Sequence, residues 1–234
     1  MNGRAAVVRS LLRKLWRRAS FPLSVTIFLV GMCKYYGPAL GLGFTVILLV
    51  HEMGHFTEAK RRGLPVNYPV FILGLGAYVE INAADAKAEA LASMKLAGPV
   101  AGCAAAVVCT LMWLITKGST WAALAREGAF LNLFNLIPLW ILDGAMPMVV
   151  ISKLQTAMLL VSALALWQVL DERVFFYIAV GIMYRWLMKM NRPTGGPNTR
   201  FFVCYGALVI IFAAIVWLVP ASAYKIYGAH ILHK

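Results

Sequence analysis

Long apolar stretches with few charges recur along the chain and determine its predicted architecture. Most approach the roughly 17–25 residues that a helix needs to cross the hydrocarbon core of a membrane. The pattern predicts spans at 21–36, 38–60, 96–116, 129–150, 154–170, 173–190 and 201–220. The fifth and sixth are short, so we expect an all-α polytopic membrane protein with six or seven transmembrane helices.

Residues 64–82 interrupt the helical pattern. Pro65 and Pro69 break a helix there, and apolar residues alternate with others from Val66 to Ile72. This alternation predicts a β-hairpin near residues 66–81, with Gly74 and Gly76 at its centre. Apolar backbone that is not helical must be covered by protein or line a wet cavity when it lies at membrane depth. We therefore expect a re-entrant hairpin, with an irregular surface loop as the alternative.

The composition indicates one membrane domain with short flanking segments. Of the 234 residues, 62% are hydrophobic and 13% are charged, and no stretch is long and polar enough for a separate soluble module. Residues 1–20 carry basic residues between apolar ones at helical spacing, which is typical of a helix lying on an anionic membrane surface. We predict a transmembrane domain at 21–220, with its catalytic core at about 38–150, and a C-terminal tail at 221–234.

The net charge of +13 comes from Lys and Arg residues that cluster beside the apolar runs. Membrane topology and anionic lipid account for this clustering better than nucleic acid does. A cytoplasmic N-terminus places sixteen of the 22 Lys and Arg residues on the cytoplasmic side. His51 then lies roughly 13 Å from the cytoplasmic end of its span, from the rise of an α-helix.

The second predicted span contains the sequence His51-Glu52-Met53-Gly54-His55. His51 and His55 lie one turn apart on the same helix face, so both imidazoles can bind one metal ion. Glu52 lies beside them, where it can act on a metal-bound water. Ionisable groups within a membrane span are costly to bury and therefore indicate function.

A third metal ligand is expected, because catalytic zinc sites usually have three protein ligands and one open position. Asp143 is the only acidic residue in the apolar run from Ala129 to Ile151. Binding a cation would remove the cost of burying its carboxylate. Asn132, Asn135, Leu139 and Asp143 recur at three- and four-residue spacing, which predicts one shared helix face.

Two motifs together give the chain a specific resemblance. HEMGHFTEAKRRGLPV at 51–66, paired with NLIPLWILDG at 135–144, resembles the site-2 protease family of intramembrane zinc metalloproteases. The residues at 74–77 and 96–99 resemble smaller landmarks of that family, and the resemblance covers roughly 38–150. The chain departs from the family pattern at Ala145, where a second glycine often follows the LDG motif, and at Val100-Ala101-Gly102, where Asn often follows the Gly-Pro pair. It resembles a minimal form of the family, without a peptide-binding or nucleotide-sensing domain.

The resemblance implies a role for each matched residue. His51, His55 and Asp143 would bind one Zn²⁺ ion, and Glu52 would be the general base. Asn135 would help to hold an extended substrate segment. Further substrate-binding candidates are Asn132, for which interhelical hydrogen bonding is the alternative, and the hairpin residues Gly74 and Gly76.

These features predict a zinc endopeptidase of regulated intramembrane proteolysis, in which Glu52 activates a zinc-bound water. The resemblance implies a single-span membrane protein as the substrate: a transcription factor precursor, an anti-sigma factor or a signal-peptide remnant. A membrane partner that regulates access is compatible with this function. The expected location is a prokaryotic inner membrane, with the site towards the cytoplasm.

Three alternatives remain open. A pseudoprotease that binds membrane segments would not need Glu52. A different HExxH protease would use a downstream Glu as its third ligand, and the last acidic residue of this chain is Glu172. A transporter would be expected to show an internal repeat, and the sequence shows no sign of one.

Overall fold

The computed structural model describes residues 2–80, 86–139, 142–188 and 198–224, with the backbone alone for residues 2–18. These residues form seven α-helices and one two-stranded sheet, so the expected helical class is confirmed. Residues 225–234 of the predicted tail lie outside the described residues. The helices are α1 (Asn2–Tyr36), α2 (Pro38–Arg61), α3 (Ala88–Thr116), α4 (Ser119–Asn135), α5 (Lys153–Leu170), α6 (Arg173–Leu187) and α7 (Thr199–Leu218).

Among the described residues, four helices are long and apolar enough to cross a membrane: α2, α3, α5 and α7. Helices α4 and α6 have only 17 and 15 residues, and the prediction of six or seven spans is not confirmed. Large apolar side chains are exposed on the outer faces of the spans, such as Val161 and Val169 on α5 and Trp217 on α7. An apolar surface of this extent is typical of a membrane protein.

Helices α1 and α2 form a tight antiparallel pair. Gly37 has a φ of 86°, which a residue with a side chain rarely adopts, and Pro38 fits the first position of α2. Gly41 lies against the backbone of Cys33, where a side chain would not fit. Residue 20, the predicted boundary between a surface helix and the first span, lies inside the continuous α1. The membrane-surface location of residues 1–20 stays a prediction.

The predicted fourth span at 129–150 is wrong. Helix α4 ends at Asn135, because Pro138 lacks an N–H donor and its ring would clash with a carbonyl of the preceding turn. Beyond Asn135 the described residues up to 150 form turns, including short 3₁₀ turns at Asp143–Ala145 and Pro147–Val149. Asp143 therefore does not share a helix with Asn132, and the predicted common helix face does not exist.

The predicted hairpin is confirmed, with shorter strands than expected. Strand β1 (Val70–Ile72) pairs antiparallel with β2 (Gly76–Tyr78), and Phe71 lies opposite Ala77. Gly74 and Gly76 have positive φ angles of 84° and 100°, which the tight connection requires. The Phe71 ring is buried against Phe28 of α1, so the hairpin is held against that helix. Its re-entrant position in a membrane stays a prediction.

Close packing of α2, α3 and α4 forms the centre of the molecule. Gly54 of α2 lies against the carbonyl group of Ala97 in α3, so the two backbones approach closely. Helix α7 packs against α3 and α4. The hydroxyl group of its Tyr205 donates a hydrogen bond to the carbonyl of Leu136, just after α4 ends. This bond satisfies a carbonyl that the interrupted helix leaves free.

Candidate metal centre

Three side chains from two separate parts of the chain meet between α2 and the turn at Asp143–Ala145. The Nε2 atoms of His51 and His55 lie 3.1 Å apart. Asp143 Oδ2 lies 3.2 Å from His51 Nε2 and 3.1 Å from His55 Nε2. All three residues are at most 6% exposed. The predicted pairing of the HExxH helix with Asp143 is thus present as a geometry, although the backbone that carries Asp143 is not helical as predicted.

The chain beyond α4 folds back to bring Asp143 to the histidines. Gly144 lies so close to the carbonyl of Leu136 that an added Cβ would overlap it. A glycine is therefore required directly after Asp143 for this close return. The second carboxylate oxygen of Asp143 pairs with Lys95 Nζ of α3 at 3.1 Å. Oδ2 faces the histidines while Oδ1 faces the lysine, which fixes the orientation of the carboxylate.

Each histidine also has a partner for its other ring nitrogen. His51 Nδ1 lies 2.8 Å from Asn132 Oδ1 of α4, and His55 Nδ1 lies 2.9 Å from the carbonyl oxygen of Met94 in α3. Both partners are hydrogen-bond acceptors in this arrangement, so each Nδ1 carries the proton. The Nε2 lone pairs are then free to bind a cation.

Two glycines of α3 make room for these side chains. A Cβ at Gly98 would overlap the His55 imidazole, lying 2.8 Å from Cδ2 and closer still to Nε2 and Cε1. A Cβ at Gly102 would overlap the Asn132 amide in the same way. Helix α3 thus supplies a carbonyl group at residue 94 and space at residues 98 and 102, one turn apart. These contacts place the imidazole of His55 and the amide of Asn132.

The three residues fit one zinc ion. Imidazole nitrogen and carboxylate oxygen are preferred zinc ligands, and tetrahedral ligands about 2.0–2.1 Å from the metal lie about 3.3 Å apart. The observed separations are 3.1–3.2 Å. Within the described part of the chain, no other group of His, Cys, Asp or Glu side chains has this arrangement.

Glu52 lies beside the cluster and borders the same cavity. It is 5% exposed and follows His51 directly in α2. The cavity has a volume of about 840 Å³ and is lined by His51, Glu52, His55 and Asp143 together with residues of α1, α3, α4 and the hairpin. An open space large enough for a peptide segment therefore adjoins all four residues.

The predicted substrate-binding residues separate into two groups. Asn135, Gly74 and Gly76 line the cavity. Asn132 is fully buried and is not among the lining residues. Both polar atoms of its amide form hydrogen bonds within the protein. Its interhelical hydrogen bond to His51 corresponds to the alternative that the sequence left open.

Four positions that shape this centre were not predicted from the sequence: Met94, Lys95, Gly98 and Gly102. In the sequence, Lys95 counted only as one of the cytoplasmic charges, and Gly98 only as part of the segment 96–99 that resembles the family. Gly102 was noted only as a difference from the family. The Met94 contact involves a backbone carbonyl, for which the residue type gives no signal. Lys95 could have been noticed as a cation beside an uncharged run that extends to Thr116.

Residues 39–123 match the family model of peptidase family M50. The matched segment includes α2, with His51, Glu52 and His55, as well as the hairpin and α3, and it ends before Asn135 and Asp143. No match was found among curated proteins or solved structures. The match confirms the resemblance that the motifs predicted, and together with the four apolar helices it indicates an integral membrane protein.

Proposed function

We propose that this protein is a zinc-dependent intramembrane endopeptidase. The observation that carries the proposal is the buried cluster of His51, His55 and Asp143, whose ligand atoms lie within 3.2 Å of one another beside Glu52. The match to a peptidase family over 39–123 supports the same class of reaction.

In the proposed reaction, His51, His55 and Asp143 hold the metal. Bound zinc would make a water molecule more acidic and polarise the carbonyl group of the scissile peptide bond. Glu52 takes a proton from the attacking water and delivers it to the leaving amine. Its position on α2, directly after a metal ligand and at the cavity wall, suits this role. Because Glu52 already lines the cavity, no movement of α2 is needed to bring its side chain there.

The free edge of the hairpin is suited to holding an unwound substrate. The Phe71 N–H donates to Ser24 Oγ of α1 at 3.2 Å, so it points away from β2. Phe71 and Ala77 are therefore a non-hydrogen-bonded pair, in which the backbone groups of both residues point outwards. Since Ala77 lines the cavity, an added strand in the cavity would lie beside its outward N–H and C=O groups.

A transmembrane helix must unwind before a protease can attack it, because its carbonyls are hydrogen-bonded within the helix. An extended segment paired with β2 would lie in the cavity that borders the metal ligands, where Asn135 offers a polar side chain. We propose a single-span regulatory membrane protein as the substrate: a transcription factor precursor, an anti-sigma factor or a signal-peptide remnant. We propose a prokaryotic inner membrane as the location and a cytoplasmic orientation of the site. The clustering of Lys and Arg beside the apolar runs supports the orientation.

The test compares the wild-type protein with Glu52→Gln, both reconstituted with membrane proteins from the native host. Glu52→Gln should bind zinc normally, lose cleavage and retain bound substrates that copurify for identification. Glu89→Gln, a matched change at an exposed position of α3, should cleave as the wild type does. Equal processing by wild type and Glu52→Gln would exclude the proposed base. Retention of membrane segments without any cleavage by the wild type would support the pseudoprotease.

A further inference from the structure

We infer that Asn132 is a positioning residue for the metal centre: it fixes the tautomer and ring orientation of His51. This inference rests on the proposed zinc site. It departs from the role in substrate binding that the sequence suggested. The side chain is fully buried and forms two hydrogen bonds, one within its own helix and one to α2.

The bond within α4 determines which way the amide faces. Asn132 Nδ2 lies 2.7 Å from the carbonyl oxygen of Gly128, one turn earlier in the same helix. A carbonyl can only accept, so the NH₂ group must be on this side of the amide. Oδ1 is then the atom that faces His51 Nδ1 at 2.8 Å.

The orientation of the amide in turn determines the state of His51. Because Oδ1 can only accept, Nδ1 of the imidazole carries the proton. The lone pair of a neutral imidazole is then on Nε2, which faces His55 and Asp143. An acceptor on the second ring nitrogen also makes the histidine a more basic ligand.

Gly102 of α3 is the third part of the arrangement. A Cβ at this position would overlap both polar atoms of the Asn132 amide. The absence of a side chain at residue 102 thus allows the amide to lie between α3 and the His51 ring. A methyl group there would push the amide away from His51 without altering any metal ligand.

The experiment measures the zinc dissociation constant of the full chain in detergent by competition with a chelator. It also records the visible spectrum of the cobalt-substituted protein and the thermal unfolding of the metal-free protein. Asn132→Leu removes the acceptor at similar volume and should weaken zinc binding by about 10–100-fold, the usual effect of losing such a partner. Gly102→Ala should change the cobalt spectrum and weaken binding in the same direction. Thr110→Val is the control and should leave zinc binding unchanged, because this buried hydroxyl of α3 bonds within its own helix to the Ala106 carbonyl.

Asn132→Asp separates positioning from a general structural role. It keeps an acceptor for His51 but loses the donor to Gly128, so it should destabilise the fold while holding zinc within a few-fold of the wild type. If wild type binds zinc and Asn132→Leu binds it equally well with an unchanged cobalt spectrum, the inference is wrong while the proposed site stands. If zinc affinity falls in parallel with thermal stability in both Asn132 variants, the inference is likewise overturned. If the wild type binds no zinc, the proposed function itself fails.

Discussion

Replacing Gly98 by alanine tests the geometry of the metal centre with a single methyl group. In an ordinary helix this change is stabilising by up to about 1 kcal/mol, because alanine is the better helix former. Here the new Cβ would lie 2.8 Å from His55 Cδ2 and closer to Nε2 and Cε1, where ordinary contacts begin at 3.4 Å. Either α3 or the His55 ring must therefore move by roughly 1 Å, and overpacking of this kind costs about 1–3 kcal/mol.

The His55 ring has little freedom to yield. Its Nδ1 is bonded to the Met94 carbonyl and its Nε2 faces the other two ligands. We expect Gly98→Ala to raise the zinc dissociation constant by at least about tenfold, as loss of a ligand-orienting contact does. The steric cost also exceeds the gain in helix propensity, so the variant should unfold at a lower temperature than the wild type.

The assay is a competition titration of the purified protein with a zinc chelator, alongside a thermal unfolding curve. Gly206→Ala is the matched control, because among the described residues a Cβ on this glycine of α7 would meet only Leu159 Cδ2, at an ordinary 3.6 Å. It should bind zinc as the wild type does and be equally or slightly more stable. Wild-type zinc affinity in Gly98→Ala would refute the described contact between α3 and His55, and with it the argument that α3 shapes the site.

Three further predictions address the third ligand, the hairpin and the far end of the bundle. Asp143→Ala removes a proposed metal ligand and should weaken zinc binding by more than about 100-fold, a larger effect than the loss of a residue that only orients a ligand. Unchanged zinc content would favour a protease with a different third ligand. Ala77→Pro removes one outward N–H donor and should slow processing of a reconstituted substrate by about 3–10-fold at unchanged zinc content. The control Ala77→Val keeps that N–H and should process the substrate at the wild-type rate. Equal rates for the two variants would argue against strand addition. Arg126 caps the end of α7, since it donates to the carbonyls of Val216 and Val219, and it also pairs with Glu172. Arg126→Met should lower the free energy of unfolding by about 2–3 kcal/mol in unfolding titrations. The control Arg173→Met, at an exposed position, should have little effect, and equal stability of the two variants would contradict the capping role of Arg126.

The sequence identified Asp143 for a reason that did not depend on its backbone. Burying an unpaired carboxylate in an apolar run is costly whatever the local conformation, and this cost predicted that Asp143 binds a cation. The helix-face argument did depend on backbone continuity, and Pro138 removed that continuity. The residue was therefore predicted to lie near the histidines, but the way the chain brings it there was not predicted.

The different locations of the Asn132 and Asn135 side chains depend on packing that helical spacing does not reveal. The two residues are three positions apart, about 60° of rotation around a helix, and helical spacing alone does not show which one points into the core. That distinction depends on where α3 packs and on where α4 ends. In the structure, the absent side chain at Gly102 admits the Asn132 amide, while Asn135 lies at the last position of α4 and lines the cavity.

Each proposed metal ligand is oriented by a different neighbour, and this has a consequence for folding. His51 is held by Asn132 of α4, His55 by the Met94 carbonyl of α3, and Asp143 by Lys95 of α3. The ammonium group of Lys95 balances the Asp143 carboxylate, so this buried charge has a counter-ion within the protein. With both Nδ1 atoms protonated, the two Nε2 lone pairs and the Asp143 carboxylate face one another within 3.2 Å and repel until a cation lies between them. The packing of α2, α3 and α4 orients the three ligands, part of the energy of metal binding offsets their mutual repulsion, and metal binding should therefore stabilise the fold.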